Sequence, residues 1–115
     1  MIIETFRTVS GRSPVDDFLA SLPEPARSIG ESVIEMLAAG ELEARPRHRD
    51  YLGNGLWELR WSWKRLQYRI LYRVSDDVAW LLEAFVKKQQ KTPSDRVQLA
   101  EKRWREIMSR RGETR

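Results

Sequence analysis

The chain of 115 residues has room for one small domain with one core, since such domains run to about 100 to 150 residues. Its 41% hydrophobic and 33% charged residues indicate a soluble globular protein and exclude a disordered, fibrous or membrane-embedded one. The lack of cysteine excludes disulfides, thiolate metal sites and a cysteine nucleophile, and a single histidine, His48, excludes a histidine metal cluster.

The net charge of +4 is distributed unevenly along the chain. Residues 1–55 carry a net charge of −3, and residues 56–115 carry +7. A basic half attracts polyanions, so nucleic acid is the leading class of partner, and the alternative is a solvated basic face without a partner. No apolar run approaches the roughly 20 residues that span a bilayer, and the N-terminus lacks a signal-like apolar region. We expect a cytoplasmic protein with no membrane partner.

The first part of the chain predicts a strand followed by a helical hairpin. Met1–Val9 is the strand candidate. Ser13 and Pro14 then predict the start of a helix, with an apolar stripe of Val15, Phe18, Leu19 and Leu22. Gly40 ends a second helix after Pro23 and Pro25, whose predicted buried stripe is Ile29, Val33, Met36 and Leu37.

Alternating apolar and polar residues predict a three-stranded antiparallel meander after a polar stretch, Ala44–Asp50. In Leu56–Lys64 the core face holds Trp57, Leu59, Trp61 and Trp63, and the charged face holds Glu58, Arg60, Ser62 and Lys64. The next strand repeats the alternation with Tyr68, Ile70, Tyr72 and Val74 inward. Val78–Val86 is almost continuously apolar and predicts a central strand covered on both faces. We assign these aromatic residues to packing rather than to base stacking.

The C-terminal segment predicts a helix with Thr92 as N-cap and Pro93 at its first position. Its buried stripe consists of Val97, Ala100, Trp104, Ile107 and Met108. The fold class is α+β, in the order strand, two-helix hairpin, three-strand meander and C-terminal helix. We expect residues 1–110 to form a single domain and residues 111–115 to form a disordered tail.

Four motifs, in their order and spacing, resemble one known family. They are Leu56–Arg60 (LWELR), Tyr68–Tyr72 (YRILY), Phe85–Pro93 (FVKKQQKTP) and Leu99–Arg103 (LAEKR). Over roughly residues 1–110 the chain resembles the phage-derived HigB-like branch of the RelE/ParE toxin superfamily. It departs from the family pattern in the turn Trp63–Leu66, which lacks the glycine that many members have, and in having no histidine after the last strand.

The resemblance implies a RelE-like fold and the toxin half of a type II toxin-antitoxin pair. Such relatives enter the ribosomal A site and cleave messenger RNA without a metal or another cofactor. The 2′-hydroxyl of one nucleotide attacks the adjacent phosphate, while the enzyme supplies a base, charge stabilisation and an acid for the leaving 5′-oxygen. The implied partners are the ribosome with its mRNA and a helix-turn-helix antitoxin.

Basic residues of the sheet supply the candidate catalytic site. The alternation of side chains along the strands places Arg60 and Arg69 on the face of the sheet opposite the tryptophans. Lys87 and Lys88 extend from the end of a nearby strand. Arg69 matches the Tyr-Arg pattern of the superfamily, so we assign it to the scissile phosphate, with Arg60 second, and expect an outward-facing guanidinium. Crowding by cations lowers the pKa of a lysine, so Lys87 or Lys88 is the candidate for proton transfer. Further RNA-binding candidates are Lys64, Arg65, Arg73 and Lys91.

Several alternatives stay open at the level of sequence. A ParE-like gyrase inhibitor would share the fold without the nuclease residues, and a noncatalytic nucleic-acid-binding module or a decayed toxin would lack the reaction. The alternative to RNA contact for Arg73 is a solvated side chain without a partner. For Lys91 it is a position before the helix cap without a functional role. His48 lies between Arg47 and Arg49, and the sequence allows three roles for it: a catalytic group, a surface contact to RNA, or no functional role.

Overall fold

The computed structural model describes residues 1–112, which form five strands and three α-helices. In chain order the elements are β1 (Ile2–Thr5), α1 (Pro14–Ser21), α2 (Glu24–Ala39), β2 (Arg49–Gly53), β3 (Leu56–Trp63), β4 (Leu66–Ser75), β5 (Val78–Lys87) and α3 (Ser94–Arg110). Two short 3₁₀ turns, Leu42–Ala44 and Pro46–His48, lead from α2 into β2.

The strands form one mixed sheet in the order β1-β5-β4-β3-β2. The last four strands pair antiparallel as a meander, and β1 pairs parallel to β5 with Ile2 opposite Val78. The α1–α2 hairpin packs on one face of the sheet and α3 on the other. This arrangement confirms the predicted α+β class, with its helical hairpin, meander and C-terminal helix.

Each face of the sheet buries its own core. Under the α1–α2 hairpin, the inward residues of β3 and β4 include Leu59, Trp61, Tyr68, Ile70 and Tyr72. Against α3, the opposite face buries Leu56, Leu71, Leu82 and Phe85 with the helix residues Ala100, Trp104, Ile107 and Met108. The inward residues predicted for β3 and for most of β4, the buried stripe of the last helix and the double burial of β5 are confirmed. Val74 was predicted inward but is 43% exposed, because it lies next to the exposed turn that ends β4.

The caps of the hairpin helices are also as predicted. The side chain of Ser13 accepts a hydrogen bond from the amide of Asp16 at 3.2 Å, and Pro14 opens α1. Gly40 follows α2 with a φ of 75°, a left-handed conformation that glycine adopts without steric cost.

The buried face of α2 agrees with the prediction at Val33 and Leu37 and differs from it nearer the start of the helix. Ala26, Gly30, Val33 and Leu37 face the core, whereas Ile29 is 36% exposed. The cause is the indole of Trp61, because a Cβ atom at Gly30 would lie 2.6 Å from its Cζ2 atom. Trp61 Nε1 also donates a hydrogen bond to the carbonyl oxygen of Ala26 at 2.9 Å. The helix therefore turns its smallest residues, and not its stripe of larger ones, toward this tryptophan.

Strand β2 begins at the end of the predicted polar stretch and continues through residues 51–53, for which we predicted no element, and it extends the meander to four strands. Asn54 and Gly55, with φ values of 53° and 83°, form the two residues of the turn into β3. Asn-Gly between two strands is the strongest short signal for a hairpin, and it marks β2 in the sequence. The apolar alternation is weak in β2 because it is an edge strand.

The glycine-free turn between β3 and β4 is tight. Trp63 pairs with Leu66, and the two residues between them, Lys64 and Arg65, have φ values of 50° and 67°. These left-handed conformations are those of a two-residue hairpin turn, so the turn fixes the register of β3 against β4 despite its composition.

The start of α3 corrects the predicted cap. The N-cap residue is Pro93, and the first helical residue is Ser94. The hydroxyl of Thr92 instead donates a hydrogen bond to the carboxylate of Glu58. A buried carboxylate needs such donors, so Thr92 fastens the segment before α3 to the sheet rather than capping the helix.

Beyond α3, Arg111 and Gly112 form a turn, and the guanidinium of Arg111 lies 5.6 Å from the ring centre of Trp80. The rest of the predicted tail, residues 113–115, lies outside the described residues. Among the helices of the described chain, none is long and apolar enough to cross a membrane.

Candidate functional site

The register of three strands brings the candidate cations to one end of the sheet. Arg60 in β3 lies directly opposite Arg69 in β4, and Lys87 in β5 lies opposite Gln67, two residues along β4 from Arg69. Directly paired residues of antiparallel strands, and residues two apart on one strand, project from the same face. All four side chains therefore share the face on which α3 packs.

This end of the face is open because α3 begins only at Ser94, after the connection from β5. The result is a cavity of about 500 Å³ lined by Arg60, Gln67, Arg69, Lys87, Lys88, Gln89 and Gln90. We call this cavity the cationic groove. It brings together the four residues that the sequence assigned to catalysis, which agrees with the expectation that Arg60 and Arg69 share a face close to Lys87 or Lys88.

Arg69 is buried and does not face outward as predicted. It is 6% exposed, and its Nη1 atom donates to the carbonyl oxygen of Tyr68 at 2.8 Å. Burial lowers the pKa of Arg69, and the nearby carboxylate of Glu58 opposes that shift. A guanidinium keeps its proton in proteins nonetheless, so Arg69 is a fixed positive charge in the wall of the groove.

Glu58 is the central residue that the sequence did not assign to the site. Its carboxylate is buried, with Oε1 lying 3.6 Å from Arg60 Nε and 3.4 Å from Arg69 Nε. The Thr92 hydroxyl donates to the other oxygen, Oε2. Two guanidiniums placed side by side repel each other, and a carboxylate between them offsets that repulsion. The alternating pattern of β3 placed Glu58 correctly on the charged face of the strand, but at this position that face is buried.

Lys87 lies in the groove close to Glu58 and the two arginines, and its pKa is lowered. Burial lowers its pKa, the charges of Arg69 and Arg60 lower it further, and the carboxylate of Glu58 raises it. Lys88 lines the same groove one residue later, beyond the end of β5. A lysine with a lowered pKa gives up a proton more readily, which is the property that an acid catalyst requires.

His48 lies on the other flank of the two arginines. Its Nδ1 atom is 3.0 Å from the backbone oxygen of Arg60, at the edge of β3 just beyond the last residue that β2 covers. It lines a second cavity of about 490 Å³ that shares Arg60, Gln67 and Arg69 with the cationic groove. In the sequence, the neighbouring Arg47 and Arg49 marked His48 as a possible contact to RNA. They did not indicate that His48 shares a cavity with Arg69.

The remaining RNA-binding candidates lie at different distances from the groove. Lys64 and Arg65 occupy the exposed turn between β3 and β4. Lys91 lines a third cavity, of about 460 Å³, together with Arg60 and Lys87.

Arg73 is not part of the groove. It lies four residues along β4 from Arg69, about 13 Å away at the usual rise of a strand. Its Nη1 atom is 3.3 Å from Glu101 Oε1, and its guanidinium lies 5.1 Å from the ring centre of Trp104. Arg73 therefore joins β4 to α3, which contradicts the alternative of a solvated side chain.

Together the groove residues are equipped to bind an anion and to move a proton. Arg60 and Arg69 present charged N–H donors, which form strong hydrogen bonds with phosphate oxygens. Because arginine keeps its proton, proton transfer at this site falls to lysine or histidine. Within residues 1–112, no three acidic or histidine side chains cluster closely enough to hold a metal ion.

Comparison with known families gives a match over most of the chain. A family model described as "Phage derived protein Gp49-like (DUF891)" matches residues 17–105. The matched stretch contains β2 to β5 and therefore every residue of the cationic groove, together with His48. No curated protein matches the sequence at a significant level.

Proposed function

Because this chain belongs to the phage-derived Gp49-like family, we propose that it is the toxin of a type II toxin-antitoxin pair and an endoribonuclease that cleaves mRNA on the ribosome. The observation that carries the proposal is the cationic groove, in which Arg60 and Arg69 lie opposite each other with Lys87 beside them. A solvated basic face would not need two paired guanidiniums that face one buried carboxylate.

In this proposal, Arg60 and Arg69 hold the non-bridging oxygens of the scissile phosphate. The 2′-hydroxyl of the preceding nucleotide attacks the phosphorus atom, and the arginines stabilise the charge that develops on the oxygens. Lys87 carries a proton for the reaction, with Lys88 next to it. The reaction needs no metal or other cofactor, since the groove itself supplies positive charge and a mobile proton.

Other cations extend the surface along which the RNA runs. Lys91 lies in the cavity that adjoins Arg60 and Lys87, and Lys64 and Arg65 project from the turn at the end of β3. The toxin acts in the cytoplasm on ribosomes that carry mRNA. Its neutralising partner is a helix-turn-helix antitoxin that presents acidic side chains to the groove or blocks entry into the ribosome.

The test is to map 5′ ends by primer extension on cellular messages after brief induction of the protein. We expect cuts at fixed positions within codons, and we expect Arg60→Ala to reduce them about a hundredfold to a thousandfold. Arg60 suits this test because its side chain is 33% exposed, so its removal disturbs the buried site less than removal of Arg69 does. The matched control is Arg105→Ala, which removes an exposed arginine of α3 and should leave cleavage unchanged.

Intact messages after induction would overturn the nuclease proposal. Damaged DNA together with intact messages would favour a ParE-like gyrase inhibitor. Neither effect, with the protein folded and able to bind nucleic acid, would favour the noncatalytic module or the decayed toxin.

A further inference from the structure

We infer that His48 is the general base of the proposed cleavage reaction and that Lys87 is the general acid on the opposite side of the phosphate. This inference rests on the proposed function and goes beyond it, because it assigns the two proton transfers to two different residues. The observations that support it are the strand order, the hydrogen bond of His48 and the two cavities that share the arginines.

The strand order places His48 and Lys87 on opposite flanks of the arginine pair. His48 contacts the outer edge of β3 through the Arg60 carbonyl, whereas Lys87 belongs to β5 on the far side of β4. Neighbouring strands lie about 4.8 Å apart, so two guanidinium-bearing strands separate the two groups. One cavity contains His48 without Lys87, the other contains Lys87 without His48, and both contain Arg60 and Arg69.

In-line displacement at phosphorus requires this kind of separation. The attacking 2′-oxygen and the leaving 5′-oxygen lie on opposite sides of the phosphorus atom, so the base and the acid must also stand on opposite sides. A phosphate held by Arg60 and Arg69 would present one oxygen toward each cavity. Lys88, by contrast, lies on the same flank as Lys87 and cannot serve the opposite side.

The hydrogen bond of His48 determines which of its ring nitrogens is available to a substrate. A carbonyl oxygen only accepts hydrogen bonds, so the Nδ1 atom that contacts the Arg60 oxygen must carry the hydrogen. In the neutral ring this leaves the lone pair on Nε2, which is the atom that a base uses. Lys87 is suited to the other role because it carries a proton and holds it less tightly than an ordinary lysine does.

The atoms of the step balance as follows. The proton of the 2′-hydroxyl passes to His48 Nε2 while the bond between O2′ and phosphorus forms. The bond between phosphorus and O5′ breaks, and Lys87 Nζ gives a proton to O5′. The products are a 2′,3′-cyclic phosphate and a 5′-hydroxyl, and the two residues regain their first protonation states by exchange with water.

The test uses the full-length protein and ribosomes programmed with a short mRNA, made once with an ordinary phosphodiester and once with sulfur in place of the leaving 5′-oxygen. Thiols are far more acidic than alcohols, so a sulfur leaving group departs without help from an acid. His48→Asn keeps an amide donor for the Arg60 carbonyl but has no base. Lys87→Ala removes the acid, and Arg105→Ala is the control.

On the ordinary substrate we expect both His48→Asn and Lys87→Ala to lose about a hundredfold to ten-thousandfold in rate. On the sulfur substrate Lys87→Ala should recover to near the wild-type rate, and His48→Asn should not. Unchanged thermal unfolding and antitoxin capture will show that His48→Asn is folded.

Cleavage of the ordinary substrate by His48→Asn at the wild-type rate would overturn this inference and leave the proposed function intact. Recovery of His48→Asn on the sulfur substrate would make it the acid and overturn the assignment as well. Absence of cleavage by the wild-type protein on both substrates would overturn the proposed function itself.

Discussion

The burial of Arg69 gives this residue a structural role beside the catalytic one that we propose. The sequence pattern predicts an outward-facing guanidinium, and that prediction is wrong because Arg69 is 6% exposed. Alternation assumes that one face of a strand meets solvent, whereas here the side chain of Arg69 is buried beside the Glu58 carboxylate.

We therefore predict that Arg69→Ala will lower both activity and stability. Cleavage should fall about a hundredfold to a thousandfold through loss of a charge-stabilising donor. The free energy of unfolding should fall by about 3 kcal/mol, because Glu58 loses one of the charges that face it in a buried site. Urea unfolding and single-turnover cleavage measure the two effects separately. An Arg69→Ala variant as stable as the wild type would contradict the buried ion pair.

Glu58 supplies a prediction about pH. The carboxylate raises the pKa of Lys87 against the lowering effects of burial and of the two arginines. Glu58→Gln keeps the shape and removes the charge, so the pKa of Lys87 should fall further. An acid catalyst works only while protonated, so activity declines as the pH rises through that pKa. The alkaline limb of the pH–rate profile should move to lower pH in Glu58→Gln.

The matched control for this shift is Asp76→Asn, which removes a carboxylate from the exposed turn at the other end of β4. Its alkaline limb should coincide with that of the wild type. An unmoved limb in Glu58→Gln, with cleavage still measurable, would show that Lys87 does not supply the proton.

At the scale of elements, the close approach of α2 to β3 depends on one glycine. In an exposed helix interior, replacing glycine by alanine stabilises by about 1 kcal/mol. At Gly30 the sign should reverse, because the new Cβ would lie 2.6 Å from Trp61 Cζ2. We predict that Gly30→Ala lowers the free energy of unfolding by about 1 to 3 kcal/mol.

Ser32→Ala, at an exposed position of the same helix, is the control and should be neutral or slightly stabilising. Urea unfolding of both variants checks the prediction. A stabilised Gly30→Ala protein would mean that the helix can move away from the tryptophan at no cost.

The sequence predicted elements whose signals are local and missed features that depend on distant contacts. Ser13, Gly40 and the alternating strands each carry their signal within a few residues, and they are confirmed. The burial of Glu58 depends on three segments, β3, β4 and the connection before α3, which meet only in the folded chain. The alternation along the strands predicted that Arg60 and Arg69 share a face of the sheet. Their direct pairing follows from the tight turn at Lys64 and Arg65, which sets the register of β3 against β4.

At the scale of the whole molecule, the charge is polarised between the acidic helical hairpin and the basic groove. In the proposed function the protein contacts phosphates of the ribosome and its mRNA, and such contacts release counterions. The logarithm of the affinity should therefore fall linearly with the logarithm of the salt concentration. We predict that Arg60→Ala reduces the slope of that plot by about 0.7 to 0.9, the value of one phosphate contact. Arg12→Ala, in the acidic half where Arg12 pairs with Asp17, should keep the wild-type slope. An affinity that does not change with salt would contradict the electrostatic picture.

The parallel pairing of β1 with β5 also determines when, during synthesis, the sheet can be completed. β1 is made first, but its partners Val78 to Leu81 are made only after the helical hairpin and three further strands. Pairing between segments so far apart in the chain is slow, because chain entropy is lost before the contacts form. A nascent chain that ends before β5 contains Arg60 and Arg69 but neither Lys87 nor a partner for β1. Interrupted translation of this message should therefore yield fragments without a groove. The ribosome that makes the protein is exposed to a complete groove only when synthesis is nearly finished.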